Sequence, residues 1–196
     1  MRYRLLAAVS LTTLIAAPVW AQNPPELAAE QVRIDFNSST YVGVINNSPV
    51  QKFAQSFRLY QEGPISHVML PLLCNNSQPL ARVFVSIQTL RNGLPNGRNL
   101  VRQEVPWYVL DAYPDASGVV GMRMVEFTGN WTLTPGDYAL VIEATDGDCG
   151  IWYGPSGDTY VNGEAFYYAP LVTPFNSPPW RAWGRDLAFQ GFQRPL

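Results

Sequence analysis

The stretch from Leu133 to Tyr153, LTPGDYALVIEATDGDCGIWY, constrains the fold more than any other part of the chain. Thr134-Pro135-Gly136-Asp137 is turn chemistry, because proline presets φ and glycine accepts positive φ. Alternation follows. Tyr138, Leu140 and Ile142 fall on one face, and Ala139, Val141 and Glu143 on the other. A repeat of two is a strand, and a strand apolar on both faces is mostly buried. Asp146-Gly147-Asp148 reverses the chain, and Ile151, Trp152 and Tyr153 open another strand.

The same rhythm of tight turn and apolar strand recurs along the chain. Val32–Phe36 and Tyr41–Ile45 read as short strands. In Phe53–Tyr60, residues Phe53, Gln55, Phe57 and Leu59 share a face. Ile65–Leu73 is an apolar strand in which Pro71 marks an edge or a bulge, since proline has no ladder donor. In Ala81–Leu90, Val83, Val85 and Ile87 oppose Arg82, Phe84 and Ser86. Asn92–Asn99, NGLPNGRN, holds two Asn-Gly pairs and is read as a loop with strong turn chemistry. Val119–Phe127 and Asp186–Phe192 alternate again. Seventeen prolines and fifteen glycines suit many short strands, and no long stretch keeps a 3.6-residue period. The expected fold is all-β: an antiparallel β-sandwich, jelly-roll-like, of about nine or ten strands.

The N-terminus has a different character. Arg2 and Arg4 precede the apolar run Leu5–Ala17, and Val19-Trp20-Ala21 fits a cleavage site, so residues 1–21 read as a signal peptide. The run is shorter than the roughly 20 residues of a membrane helix. No membrane span is expected after cleavage, and the location is expected to be secreted or periplasmic. Residues 22–30 read as a Pro/Ala-rich linker and 31–196 as one domain. Loss of Arg2 and Arg4 moves the net charge from −2 to −4, and no basic patch argues for nucleic acid. The two cysteines, Cys74 and Cys149, each lie just past an expected strand. An even count in an exported chain points to a disulfide between them.

Four pieces in order resemble a broad group of exported bacterial β-sandwich modules of the choice-of-anchor and surface-protein type. They are Gln55-Ser56-Phe57, Gly93-Leu94-Pro95-Asn96-Gly97, the L-T-P-G-x-Y-x-L-V-I run Leu133–Ile142, and Trp152-Tyr153-Gly154 leading to Asp186-Leu187-Ala188-Phe189. The resemblance spans about Gln51–Phe192. It implies a jelly-roll-like sandwich without established catalytic residues. Some such modules bind carbohydrate and others are structural.

Candidate chemistry is sparse. His67 is the only histidine, and Ser66 precedes it, but the two are expected on opposite strand faces, and no nucleophile elbow is present. A glycosidase would need two converging carboxylates, with Glu126, Glu143, Asp137 and Asp186 as the strand-borne candidates. Asp146, Asp148 and Asp158 lie in Gly-rich loops and are candidate ligands of a structural calcium, although the favoured reading of Asp-Gly-Asp is a plain hairpin turn. The late aromatics are the most suggestive feature. Trp152 and Trp180 are expected in the core. Tyr153, Tyr160 and Trp183 are expected at the surface, with Asp158, Asn162, Arg181 and Arg185 as polar neighbours that could fix sugar hydroxyls. Plain core packing of these rings is the competing reading. The expected function is binding of a glycan or cell-surface polymer without catalysis. The alternatives are a structural module with a protein partner and a glycoside-active enzyme.

Overall fold

The computed structural model describes residues 23–42, 51–74, 82–110, 121–145, 149–168 and 179–196. The expected signal peptide, Asp146 and Asp148 lie outside these residues. The chain is an antiparallel β-sandwich with fifteen strands and one short helix, α1 (Trp107–Leu110), among the described residues.

One layer is a six-stranded sheet. Its order is β13 (Trp180–Ala182), β12 (Ala165–Tyr168), β3 (Phe53–Leu59), β10 (Gly136–Ala144), β6 (Val83–Arg91) and β7 (Leu94–Glu104). Every pair in it is antiparallel. The second layer starts from β1 (Glu26–Gln31), β15 (Phe189–Gln193), β4 (Gly63–Leu70) and β8 (Arg123–Glu126), with β9 (Thr132–Leu133) against the start of β4. It continues as β14 (Arg185–Leu187), β11 (Cys149–Ser156) and β2 (Ser39–Val42), with β5 (Leu72–Cys74) also on β11. Pro71 alone separates β4 from β5, and its carbonyl accepts the Trp152 N–H at 3.1 Å. A residue without a donor thus sits where the strand changes partners.

Alternation sets the core. Tyr138, Leu140 and Ile142 of β10, Phe53, Phe57 and Leu59 of β3, and Val83, Val85 and Ile87 of β6 point inward. They meet Ile65, Val68, Leu70, Val125, Ile151, Leu187 and Phe189 from the other layer. Each such side chain contributes about 1.5–3 kcal/mol by leaving water. The opposite face of the six-stranded sheet is also apolar at its centre, where Ala54, Ala139 and Val141 pack beside Phe166 and Trp180. Gln55 is fully buried within β3 on the inward face.

The structure departs from the sequence reading in several places. The supposed linker supplies β1, which pairs with β15. The strand expected at Val32–Phe36 is absent, and the Asp186–Phe192 strand is broken at Ala188. The NGLPNGRN stretch is a hairpin more than a loop. Asn92 and Gly93 have φ of 54° and 78°, the pattern of a type I′ turn, and β7 begins at Leu94. The disulfide between Cys74 and Cys149 is present, and its cysteines lie on strands, directly opposed in the β5–β11 register with Cα atoms 4.0 Å apart.

Candidate functional site

The late aromatics do not form an exposed patch. Tyr153 and Tyr160 are only 7% and 8% exposed, contrary to expectation. Ile151 faces the core, so alternation turns Tyr153 inward with it and leaves Trp152 half-buried on the other side. Trp183 is half-buried among Phe53, Tyr153 and Tyr167, with ring centroids 4.8, 5.3 and 5.1 Å away. The Arg185 guanidinium lies 5.1 Å over Tyr153 and 3.7 Å from Asp35. Burial raises the phenol pKa of both Tyr153 and Tyr160. Arg181 is half-buried on β13 opposite Tyr167. Trp180 is buried as expected.

Tyr160 is drawn in by a polar network. One Asp186 carboxylate oxygen accepts the backbone N–H groups of Thr159 (2.7 Å) and Tyr160 (2.9 Å) and the Thr159 hydroxyl (3.2 Å). Its other oxygen accepts Gln55 Nε2 at 3.0 Å, while Gln55 Oε1 accepts the Leu187 N–H at 2.8 Å. Asp186 therefore anchors the loop after β11 to β3 and β14. Asp158 and Asn162 are exposed and line two adjoining clefts of about 270 and 300 Å³ that share Gly163 and Glu164. The six residues expected to bind ligand are thus divided between an aromatic core cluster, two clefts and a strand edge. Among the described residues, no three His, Cys, Asp or Glu side chains converge on a metal position.

Asp137, Glu143 and Asp186 are each engaged by other groups of the protein. Asp137 is bidentate to Arg58 at 2.7 and 2.8 Å, and this guanidinium holds its carboxyl below the usual range. Glu143 bonds Lys52 and lies 3.3 Å from Arg102. Six residues of one strand separate Asp137 and Glu143, about 20 Å at 3.4 Å per residue. Glu126 belongs to the opposite layer, across from His67. Ser66 Oγ is 3.1 Å from His67 Nδ1, closer than strand alternation suggests, because the short hydroxyl stays near the backbone and the ring turns back to it. Ser66 is buried, and the imidazole stacks on Phe192 with centroids 4.3 Å apart. This serine faces the core rather than a cleft.

The arrangement best suited to hold a ligand lies elsewhere, around Trp131. After β8 the chain turns through Thr128-Gly129-Asn130. Gly129 has φ +103°, which favours glycine, and a Cβ there would lie 2.8 Å from Trp131 Nε1 and push the indole aside. The indole N–H donates to the Thr128 carbonyl at 2.8 Å. The Trp131 carbonyl accepts the Ile65 N–H at 3.0 Å, which fixes the backbone to β4. The residue is tied down through its indole N–H and its backbone carbonyl and is still 46% exposed.

It borders a groove of about 580 Å³. Leu133 and Tyr138, both buried, underlie the groove, and the Tyr138 hydroxyl donates to the Thr134 carbonyl at 2.8 Å. Thr89 of β6, Arg98 and Asn99 of β7, and Asn130, Thr132 and Thr134 supply polar walls. Asn99 Oδ1 accepts Gln88 Nε2 at 2.8 Å, which holds the Asn99 side chain on the outer face of the six-stranded sheet. A rigid aromatic face ringed by hydroxyls and amides can stack on an apolar ring and orient its polar substituents. Sequence reasoning passed over Trp131. The available signal was a lone Trp in a Gly-Asn turn, outside any alternating strand and flanked by polar residues. No protein-family model, curated protein or solved structure matches this chain.

Proposed function

We propose that the chain is an exported, non-catalytic binding module and that its ligand is carbohydrate, held in the Trp131 groove. The observation that carries this reading is the clamped, half-exposed indole in a groove walled by threonines and asparagines. Sugar rings offer an apolar C–H face to such a ring and hydroxyls to such walls. The volume falls in the range of about 300–1,000 Å³ typical of small-ligand sites. The signal-like N-terminus, the disulfide and the resemblance to exported sandwich modules support export. A protein-docking role would call for a contiguous apolar patch. The free edge of β7 carries Arg98, Arg102 and Glu104, charges of the kind that discourage strand addition.

A glycan array probed with the full chain and with Trp131→Ala and Trp183→Ala tests the proposal. Saturable binding lost in Trp131→Ala and retained in a folded Trp183→Ala is the expected result. Binding that survives Trp131→Ala, or no binding to any glycan, overturns it.

A further inference from the structure

We infer that the sugar bound in this groove carries a carboxylate, as the uronic-acid units of acidic polysaccharides do; the inference rests on the carbohydrate reading above. Arg98 is the one charged side chain lining the groove among the described residues, and no carboxylate lines it with Arg98. Lys52, Arg58, Arg82, Arg102 and Arg185 each lie within ion-pair reach of a carboxylate. Arg98, like Arg33, Arg91, Arg181 and Arg194, has no such partner among the described residues, and it is exposed. Its backbone is fixed, because its own N–H donates to Asn96 Oδ1 at 2.8 Å and the Gly97 N–H donates to Gln88 Oε1 at 3.0 Å.

A neutral sugar would leave the Arg98 guanidinium without an anion. A carboxylate can take two parallel N–H···O bonds from its fork. The indole face and the guanidinium thus select a pyranose that is apolar on one face and anionic at its edge.

The test uses the full chain with polygalacturonate, alginate and hyaluronate as probes, each beside the same polymer with its carboxylates methyl-esterified. Binding is read by isothermal titration at low and high salt. Arg98→Gln, Arg98→Lys and Trp131→Ala are compared, with circular dichroism to confirm folding. The expected result is binding of at least one acidic polymer, weakened roughly tenfold or more by esterification and by Arg98→Gln, less by Arg98→Lys, and reduced by salt. Equal binding of free and esterified polymers, or acidic binding indifferent to Arg98→Gln, overturns the inference. If Trp131→Ala abolishes that binding, the carbohydrate reading stands without it. Failure of every polymer, acidic and esterified, to bind overturns the inference, and the glycan array then decides the carbohydrate reading by itself.

Discussion

Asp186→Asn is the sharpest probe of how this sandwich holds its late loop. Every group facing the Asp186 carboxylate is a donor: the N–H groups of Thr159 and Tyr160, the Thr159 hydroxyl and Gln55 Nε2. Asparagine replaces one acceptor oxygen with two N–H donors. If its amide nitrogen takes the position nearest Thr159, it meets two backbone N–H groups that cannot rotate away. In the flipped placement it meets Gln55 Nε2. Gln55 cannot flip in response, because its Oε1 receives the Leu187 N–H. At least one buried donor is left opposed to a donor, which costs about 1–3 kcal/mol, and the remaining bonds lose their charge assistance. The expected loss is about 3 kcal/mol, a large share of a stability of about 5–15 kcal/mol. For a chain of this size it corresponds to a fall of about 6–12 °C in Tm. Urea unfolding followed by tryptophan fluorescence measures the loss, and amide exchange at Thr159 and Tyr160 locates it. A loss below about 1 kcal/mol, with those amides still protected, would refute the reasoning.

Three other perturbations have definite directions. Gly93→Ala adds a Cβ with no atom within 4 Å and costs only the positive φ, about 1 kcal/mol, whereas the Gly163 Cβ would lie 1.9 Å from the Ser56 carbonyl. Gly163→Ala is therefore the more damaging of the pair, and equal denaturation midpoints would contradict that order. Burial lowers the His67 pKa, against the pull of Glu126, so the folded chain favours neutral imidazole. Its contribution is complete above the ordinary value of 6.5 and is lost as pH falls from there through the folded pKa. His67→Gln should flatten stability across that window, and an unchanged pH profile would count against this assignment. Replacing both cysteines by serine opens a 75-residue separation and should cost up to about 4 kcal/mol on the chain-entropy account, measured by thermal unfolding.

The strands with apolar residues on both faces were the most legible part of the fold. Tyr138, Leu140 and Ile142 meet the core, and Ala139 and Val141 the outer cluster, as their alternation implies. Phe53, Gln55, Phe57 and Leu59 likewise share the inward face. Turn chemistry marked a reversal somewhere in Asn92–Asn99 without choosing between its two Asn-Gly pairs, and export chemistry paired the cysteines. Short aromatic strands were harder, because Ile151-Trp152-Tyr153 can be read with either parity and only the packing of Ile151 decides it. Tyr160 follows no period at all. Its burial depends on Asp186, 26 residues away, and a contact of that kind leaves no local pattern. Trp131 was missed because it sits in a turn, where alternation has nothing to report.

The Cys74–Cys149 bond also has a topological result. It closes a covalent ring that contains β6 to β10, and both walls of the Trp131 groove, residues 89–100 and 130–138, belong to that ring. A protease that cuts the backbone once inside the ring cannot release either wall, since each fragment stays attached through the sulfur bridge. Such a nicked molecule would migrate as one band without reductant and as two with it. Wherever the chain meets a protease, a single cut in this half of the sandwich leaves both walls of the groove attached.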